Sequence, residues 1–289
     1  MFRTWSSRLL LFRRNLSSGT EPKVPKELIW ELRKSTGYPI SKCREALVAC
    51  TNNLSSASIW LSEQAQKEGW TKVERLKNRK TIEGLVAITT KANVGSMIEI
   101  NCETDFVSRN EAFQSFVNSA AKAFHFHSLE NKTTCHYSGD DLARLSIDGM
   151  TVGSLLTSLI SKLSENIILR RGCSLHQSEN GVSVHGYAHV GVPKSYPGLT
   201  CAIGKYGALV AMAGGTEKLG SRIGMQIVGK NPKALEAPSN ANTSFNAEDF
   251  LVSQEYLFES GSTVGDILQR EKAIVRSFLR YECGEENDC

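Results

Sequence analysis

The 289-residue sequence predicts an α+β protein: a three-helix N-terminal module, a body of two similar α+β subdomains, and a C-terminal helix–strand module. Three observations carry this reading. Residues 26–69 show helical periodicity only; beyond residue 82 a strand–turn–strand–helix pattern occurs twice; after residue 237 short helical and strand signals return. At 40% hydrophobic and 22% charged residues the chain can bury a real core, and its length suits two domains or one elaborate one. The predicted boundaries are 1–20 for a leader, 21–70 for the helical module and 71–81 for a basic linker. Residues 82–149 and 150–236 form the two subdomains, and 237–289 the last module.

The leader "MFRTWSSRLLLFRRNLSSGT" carries Arg3, Arg8, Arg13 and Arg14, several Ser and no acid. An Arg- and Ser-rich, acid-free, amphipathic start is that of a mitochondrial transit peptide. Cleavage after Leu16 would leave Arg14 three residues before the cut. The apolar run Leu9 to Phe12 is far too short to span a membrane. All 30 acids lie beyond residue 20, and removing the leader's four Arg from the 34 cations leaves 30, so the mature chain is formally neutral. A neutral body argues against nucleic acid as the main partner, since phosphate neutralisation dominates that affinity.

In the first module "KELIWELRKSTG" places Leu28, Ile29 and Leu32 on one helix face and stops near Gly37, a left-handed cap. A second helix, capped by Ser41, buries Cys43, Ala46, Leu47 and Cys50. A third, from about Ser55 to Gly69, presents Ile59, Trp60 and Ala65. "TKVERLKNRK" follows, with five cations against one acid; lacking an aromatic residue to stack on a base, it reads as a solvated linker or exposed helix. In the body, "GLVAITTK", a turn at "ANVGS" and "MIEINCE" form a hairpin. Ile98, Ile100 and Cys102 point to one side, and Glu99, Asn101 and Glu103 to the other. The next helix aligns Phe113, Phe116, Val117, Ala120, Ala121 and Phe124. A helix through Leu155, Leu156, Leu159, Ile160 and Leu163 runs into "ENIILRRG". "SVHGYAHVG", "KYGALVAMAG" and a helix with Leu219, Ile223 and Ile227 repeat the pattern. After the polar "APSNANTSFN", a helix over 248–259, a short helix capped at Thr263 and the strand "AIVRSFLRYEC" complete the chain.

No catalytic motif stands out. "GMQIVGKN" fits the phosphate-loop pattern up to its Lys, but Asn231 replaces the Ser or Thr and Pro232 follows. A helix C-terminus capped at Gly229 explains it better. His185 and His189, four apart on a strand, would sit about 13 Å apart, too far for one metal ion. The eight Cys contain no CxxC pair and no metal-ligand spacing, and a disulfide framework does not suit a chain this long in a reducing compartment. The sequence thus predicts no catalytic residue, metal or cofactor.

The stretch "EINCETDFVSRN" has a bulky Phe106 beside Asp105, between strand and helix, where small polar residues are usual. "SRNE" (Ser108 to Glu111) makes a capping box, which leaves Phe106 outside the helix while Val107 staples onto Ala112. Alternatively the helix starts at a Thr104 cap, and Phe106, seven residues before Phe113, joins the buried face. The pattern alone leaves both open.

"NCETDFVSRN" resembles the "TDFV" signature of the elongation factor Ts family, the guanine nucleotide exchange factors of elongation factor Tu. "LRKSTGYPISKCREAL" resembles that family's N-terminal module, with a ubiquitin-associated-like fold. "ENIILRR" resembles its central helix–strand junction, and "TVGDILQREKAIVRSFLRYECGE" its C-terminal module. With the leader and "QAQKEGW", the similarity is to the mitochondrial form and covers nearly everything after residue 24. It implies that Asp105 and Phe106, flanked by Thr104 and Val107, insert into the partner's G domain near its Mg²⁺ and phosphate loop. Further contacts are implied around Leu32, Arg33, Thr36, Gly37 and Tyr38, where packing within the module is the competing role for Leu32 and Tyr38. Another is implied at Gln226, where bacterial members carry His. The partner is then mitochondrial elongation factor Tu, in the matrix, with no nucleotide site, nucleic acid or membrane needed by this chain. The rival class, from the N-terminal module alone, is a ubiquitin-like-binding adaptor.

Overall fold

The computed structural model describes residues 24–189, 201–237 and 246–286. The leader, most of the polar segment at 237–246, and Cys289 lie outside the described residues. The chain has two compact units, Met1–Leu61 and Ser62–Cys289, and overall mixes helix and sheet as an α+β protein.

The first unit holds α1 (Lys26–Thr36), α2 (Ile40–Ala49) and the start of α3 (Leu54–Leu76). Leu32, Cys43, Ala46, Leu47, Ala57 and Leu61 form its core, with Leu28, Ile29, Tyr38 and Trp60 packed against them. Gly37 ends α1 at φ 73°, and its N–H donates to Arg33 O at 2.7 Å; a Cβ would be strained in that left-handed conformation. Two expectations fail. Pro39 (φ −56°, ψ 148°) takes the N-cap position itself, so the helix starts at Ile40 without a side-chain cap and Ser41 lies inside it. And α3 does not stop at Gly69 but continues to Leu76. A mid-helix Gly costs about 1 kcal/mol, which is offset within the second unit by Leu76 and Val73 joining its core. Half of the supposed linker is therefore packed helix.

In the second unit, β1 (Glu83–Lys91) and β2 (Val94–Cys102) form the expected hairpin, with Lys91 paired to Val94 across the turn. Then come α4 (Asp105–Ser108), α5 (Glu111–Asn131), β3 (Cys135–Ser138) and α6 (Gly139–Arg144). The ribbon β4 (Ser146–Ile147) and β5 (Met150–Thr151) leads into α7 (Val152–Leu163) and β6 (Ile167–His176). The second half carries β7 (Val182–His189), β8 (Ala202–Gly204), β9 (Tyr206–Ala213), α8 (Glu217–Lys230), α9 (Val264–Arg270) and β10 (Ile274–Glu282). One sheet has the order β3-β6-β2-β1-β8 and another β10-β9-β7.

Strand alternation decides the layers. Leu85, Ala87, Ile98 and Ile100 turn toward Phe113, Val117 and Phe124 of α5 and Leu159 and Ile160 of α7. Val86, Ile88, Met97 and Leu175 turn the other way, toward Val184, Leu209, Ala211 and Tyr281. Ala208, Val210 and Met212, on the far face of β9, meet Ile223 and Ile227 of α8. The order is helix, sheet, sheet, helix. Two glycines let α8 approach β7: a Cβ on Gly220 would lie 2.2 Å from the His185 ring, and one on Gly224 2.6 Å from Tyr187 Cβ.

The face of β2 opposite Ile98 and Ile100, which carries Glu99 and Asn101 as the alternation predicts, is enclosed as well. Glu99 and Asn101 are fully buried. The Glu99 carboxylate accepts from Arg171 Nε at 2.7 Å, Gly284 N at 2.8 Å, Asn101 Nδ2 at 3.1 Å and Arg170 at 3.4 Å. Arg171 also lies 4.1 Å over the Tyr281 ring. One buried carboxylate thus ties both sheets and the end of β10 together.

The 248–259 helix is also absent. Two 3₁₀ turns, Ala247–Asp249 and Leu251–Ser253, are separated by an extended Phe250. Gln254 Nε2 donates to Glu248 O at 2.6 Å and to Lys230 O at 3.5 Å, satisfying carbonyls that no helix serves. Helix α8 ends at a left-handed Asn231 (φ 44°), two residues past Gly229. Thr263 caps α9 in a capping box with Asp266.

Candidate functional site

Both readings of the "TDFV" stretch were half right. Thr104 is the N-cap, its Oγ1 accepting from Val107 N at 3.4 Å, but the helix it starts lasts four residues. Asn110 then caps α5 independently, its Oδ1 accepting from Ala112 N at 2.9 Å. The Ser108–Glu111 capping box does not form; Ser108 Oγ donates back to Asp105 O at 2.8 Å. In one unbroken helix Phe106 and Phe113 would share a face, because seven residues make about two turns. The break at Arg109–Asn110 removes that constraint. Val107 turns inward into the core, and the Phe106 ring is 81% exposed.

The turn is held from a distant part of the chain. Glu165, between α7 and β6, accepts from Thr104 Oγ1 at 2.8 Å and from Thr104 N at 3.2 Å. In return Glu103 accepts from Asn166 N at 2.6 Å. Asp105 pairs with Arg109 at 3.1 Å, both partners well exposed, a pair of the kind worth little by itself. An apolar ring thereby stands exposed beside a carboxylate, on a turn held at Thr104 by Glu165 and at Ser108 O by Gln114 Nε2 at 3.3 Å. Val107 of the turn contributes to the core, whereas Phe106 beside it is left exposed.

Comparison with known proteins places this turn in a family. Residues 103–241 match the model described as elongation factor TS, beginning one residue before Thr104, and residues 13–71 match the N-terminal region of mitochondrial elongation factor Ts. A mitochondrial elongation factor Ts of Xenopus laevis is 37% identical over 278 residues, covering 90% of this chain and 87% of that protein. The chain belongs to the elongation factor Ts family. The mitochondrial elongation factors Ts of Homo sapiens (36% identical, 90% of this chain and 83% of that one) and Nematostella vectensis (34%, 90% and 99%) agree with it. As a family member of the mitochondrial form, it is a translation elongation factor.

The other expected contact residues of this elongation factor Ts chain are placed less openly. Leu32 is a buried core residue and Tyr38 packs against the same core. Thr36 Oγ1 donates to Leu32 O at 2.5 Å, and Gly37 serves as the α1 cap. Of that group only Arg33 and Gly37 are exposed. Gln226 is fully buried. Its Nε2 donates to Glu255 O at 3.0 Å and Gln254 Oε1 at 3.1 Å, and its Oε1 accepts from Leu257 N at 2.9 Å. Its amide braces the 254–257 segment and reaches no surface. Sequence reasoning missed Glu165 and Asn166 as site residues although both stand in the quoted "ENIILRR". Nothing in a linear pattern announces a pairing across 61 residues.

Among the described residues, no group of three or more His, Cys, Asp or Glu side chains is arranged to hold a metal ion. No described helix is long and apolar enough to cross a membrane. No disulfide joins the seven described cysteines. Burial pushes the thiols of Cys102, Cys201 and Cys283 up to about 12, which keeps them protonated and poor nucleophiles.

Proposed function

We propose that this chain binds mitochondrial elongation factor Tu in its GDP form and speeds GDP release, Phe106 acting as the wedge. The single observation that supports this most is the Phe106 ring, 81% exposed on a tied turn that its own core does not use. Mg²⁺ bridges the nucleotide phosphates and needs near-ideal octahedral geometry. A small displacement of its protein shell therefore forfeits much nucleotide affinity. Burying the ring in the partner gains roughly 1.5–3 kcal/mol, or about ten- to a hundredfold; Asp105 competes for hydrogen bonds around the metal site, and further contacts supply the rest. By linkage the factor and GDP weaken each other equally, so incoming GTP releases the factor and the cycle closes. On this reading the leader directs the chain to the matrix, and the exchange factor does no bond chemistry of its own. The subdomain boundaries at 82–149, 150–236 and 237–289 belong to the same proposal, with Arg33 and Gly37 offering the N-terminal unit's exposed contacts.

Release of labelled GDP from the partner tests it. Intact chain accelerates release, Phe106→Ala loses roughly ten- to a hundredfold of that acceleration, and Asp105→Ala loses part. Release at the spontaneous rate with intact chain would sink the proposal.

A further inference from the structure

We infer that Glu165 is a positioning residue for nucleotide exchange: its carboxylate sets the direction of the Phe106 turn through Thr104. The inference rests on the reading of Phe106 as the wedge and goes one step further back. Helix α7 ends at a left-handed Ser164 (φ 61°), and Glu165 and Asn166 bridge to β6. The two segments exchange bonds reciprocally. Glu165 takes both the O–H and the N–H of Thr104, at 2.8 and 3.2 Å, while Glu103 takes the N–H of Asn166 at 2.6 Å. Asn166 is itself buried and anchored, its Nδ2 donating to Arg79 O at 2.9 Å.

The chemistry of a hydroxyl makes this clamp directional. Thr104 Oγ1 has one proton. Committing it to Glu165 leaves the lone pairs to accept from Val107 N, and the carboxylate polarises the hydroxyl into a better acceptor. A four-residue helix cannot sustain itself, since nucleation consumes more order than one turn returns. Its direction therefore depends on its cap. Replace the carboxylate by an amide and one NH₂ faces a Thr104 donor, so the hydroxyl must turn or the loop must move. The turn then frays, and the ordering of Phe106 has to occur during binding, where it subtracts from the gain.

The test measures release of labelled GDP from mitochondrial elongation factor Tu with full-length variants, together with thermal unfolding of each. Glu165→Gln is expected to lower the acceleration by about tenfold, the scale of one charge-assisted hydrogen bond. Thr104→Val should lose a comparable factor, and Thr104→Ser, which keeps the hydroxyl, should recover most of it. The decisive arm is Glu165→Gln on a Phe106→Ala background. A positioning role predicts a clearly smaller loss there, limited to the share carried by Asp105 on the same turn, because the ring being aimed is gone. Equal loss in both backgrounds, or no loss from Glu165→Gln alone, overturns the inference while leaving the wedge intact. A Phe106→Ala chain with full activity overturns both. Should Glu165→Gln fail to fold, the Thr104→Val and Thr104→Ser pair on the two backgrounds decides by the same comparison.

Discussion

Glu99 and Phe106 lie seven residues apart and depart from the usual partition of polar and apolar groups in opposite directions. The carboxylate of Glu99 is enclosed between two sheets with no exposure at all; the ring of Phe106 stands 81% in water. Each departure has a different physical account. Glu99 is supplied with two guanidinium groups, a backbone N–H and a side-chain amide, so its charge is matched where it sits. Phe106 joins none of the core clusters of the described residues, although Val107 beside it is in the core. A buried charge with partners speaks of scaffold. An exposed ring on a fixed turn is what the proposed wedge requires.

If that contrast is right, substitutions at the two positions should move different observables. The largest effect is expected at Glu99. Glu99→Ala removes the acceptor shared by Arg170, Arg171 and Gly284 N, leaving Glu285 as the carboxylate beside the two guanidiniums, and breaking such a buried pair costs about 3–5 kcal/mol. Urea unfolding should show the full loss, together with looser attachment of residues 282–286. A loss below about 1 kcal/mol, the level of a surface pair, would mean that water reaches this charge after all.

Gln226 sharpens the same point from the second half of the body. Gln226→Leu keeps roughly the volume but strands Leu257 N, Glu255 O and the Gln254 amide, which should destabilise by about 2–4 kcal/mol. Its effect on exchange should follow the folded fraction only. A variant that is stable yet exchanges poorly would restore Gln226 to the list of direct contacts.

Phe106→Ala is expected to do the reverse. Surface truncations stay within about 0.5 kcal/mol of neutral in stability, whereas the exchange step should lose roughly 1.5–3 kcal/mol. Unfolding midpoints for the two chains should coincide while GDP-release rates separate. A clear drop in the midpoint would place the ring in intramolecular packing.

These contrasts also mark how far the sequence could be read. Periodicity located most elements, because α5, α7 and α8 each bury one regular stripe and the strands are short apolar runs bounded by turn residues, and the "TDFV" stretch was singled out by its composition. What it could not reveal was pairing across the chain. Alternation put Glu99 and Asn101 on the face away from Ile98 and Ile100, but nothing local shows that β10 and its following residues close over them. Gln254 replaced an expected helix by bonding backwards to Glu248 and Lys230, an option invisible in a window of hydrophobic spacing. Thr104 and Ser108 were equally good caps on paper; Glu165, 61 residues away, favours Thr104. Likewise Val73 and Leu76 sit in a charge-rich stretch, and only the core they join shows it to be a packed helix.

The smallest expected effect is a pH dependence on the α5 side of β2. His125 is buried, with Nδ1 2.9 Å from Ser96 Oγ, and burial, then nearby Lys91, holds its pKa below the ordinary value. His185, packed under Gly220, is lowered by burial too, with Glu217 opposing. The folded chain thus keeps both rings neutral where the unfolded chain begins to protonate them, near pH 6.5. Below that pH the unfolded state binds more protons, so stability must fall as pH falls and level off once the folded-state pKa is passed. Above about pH 7.5 the contribution is flat. Urea unfolding between pH 7.5 and 5.5 should show the decline, and His125→Gln, which can still reach Ser96, should reduce its slope while His185 maintains the rest. Identical slopes for the two chains would show that His125 takes up its proton without leaving the core, and the enclosure argued for this side of β2 would then be too tight.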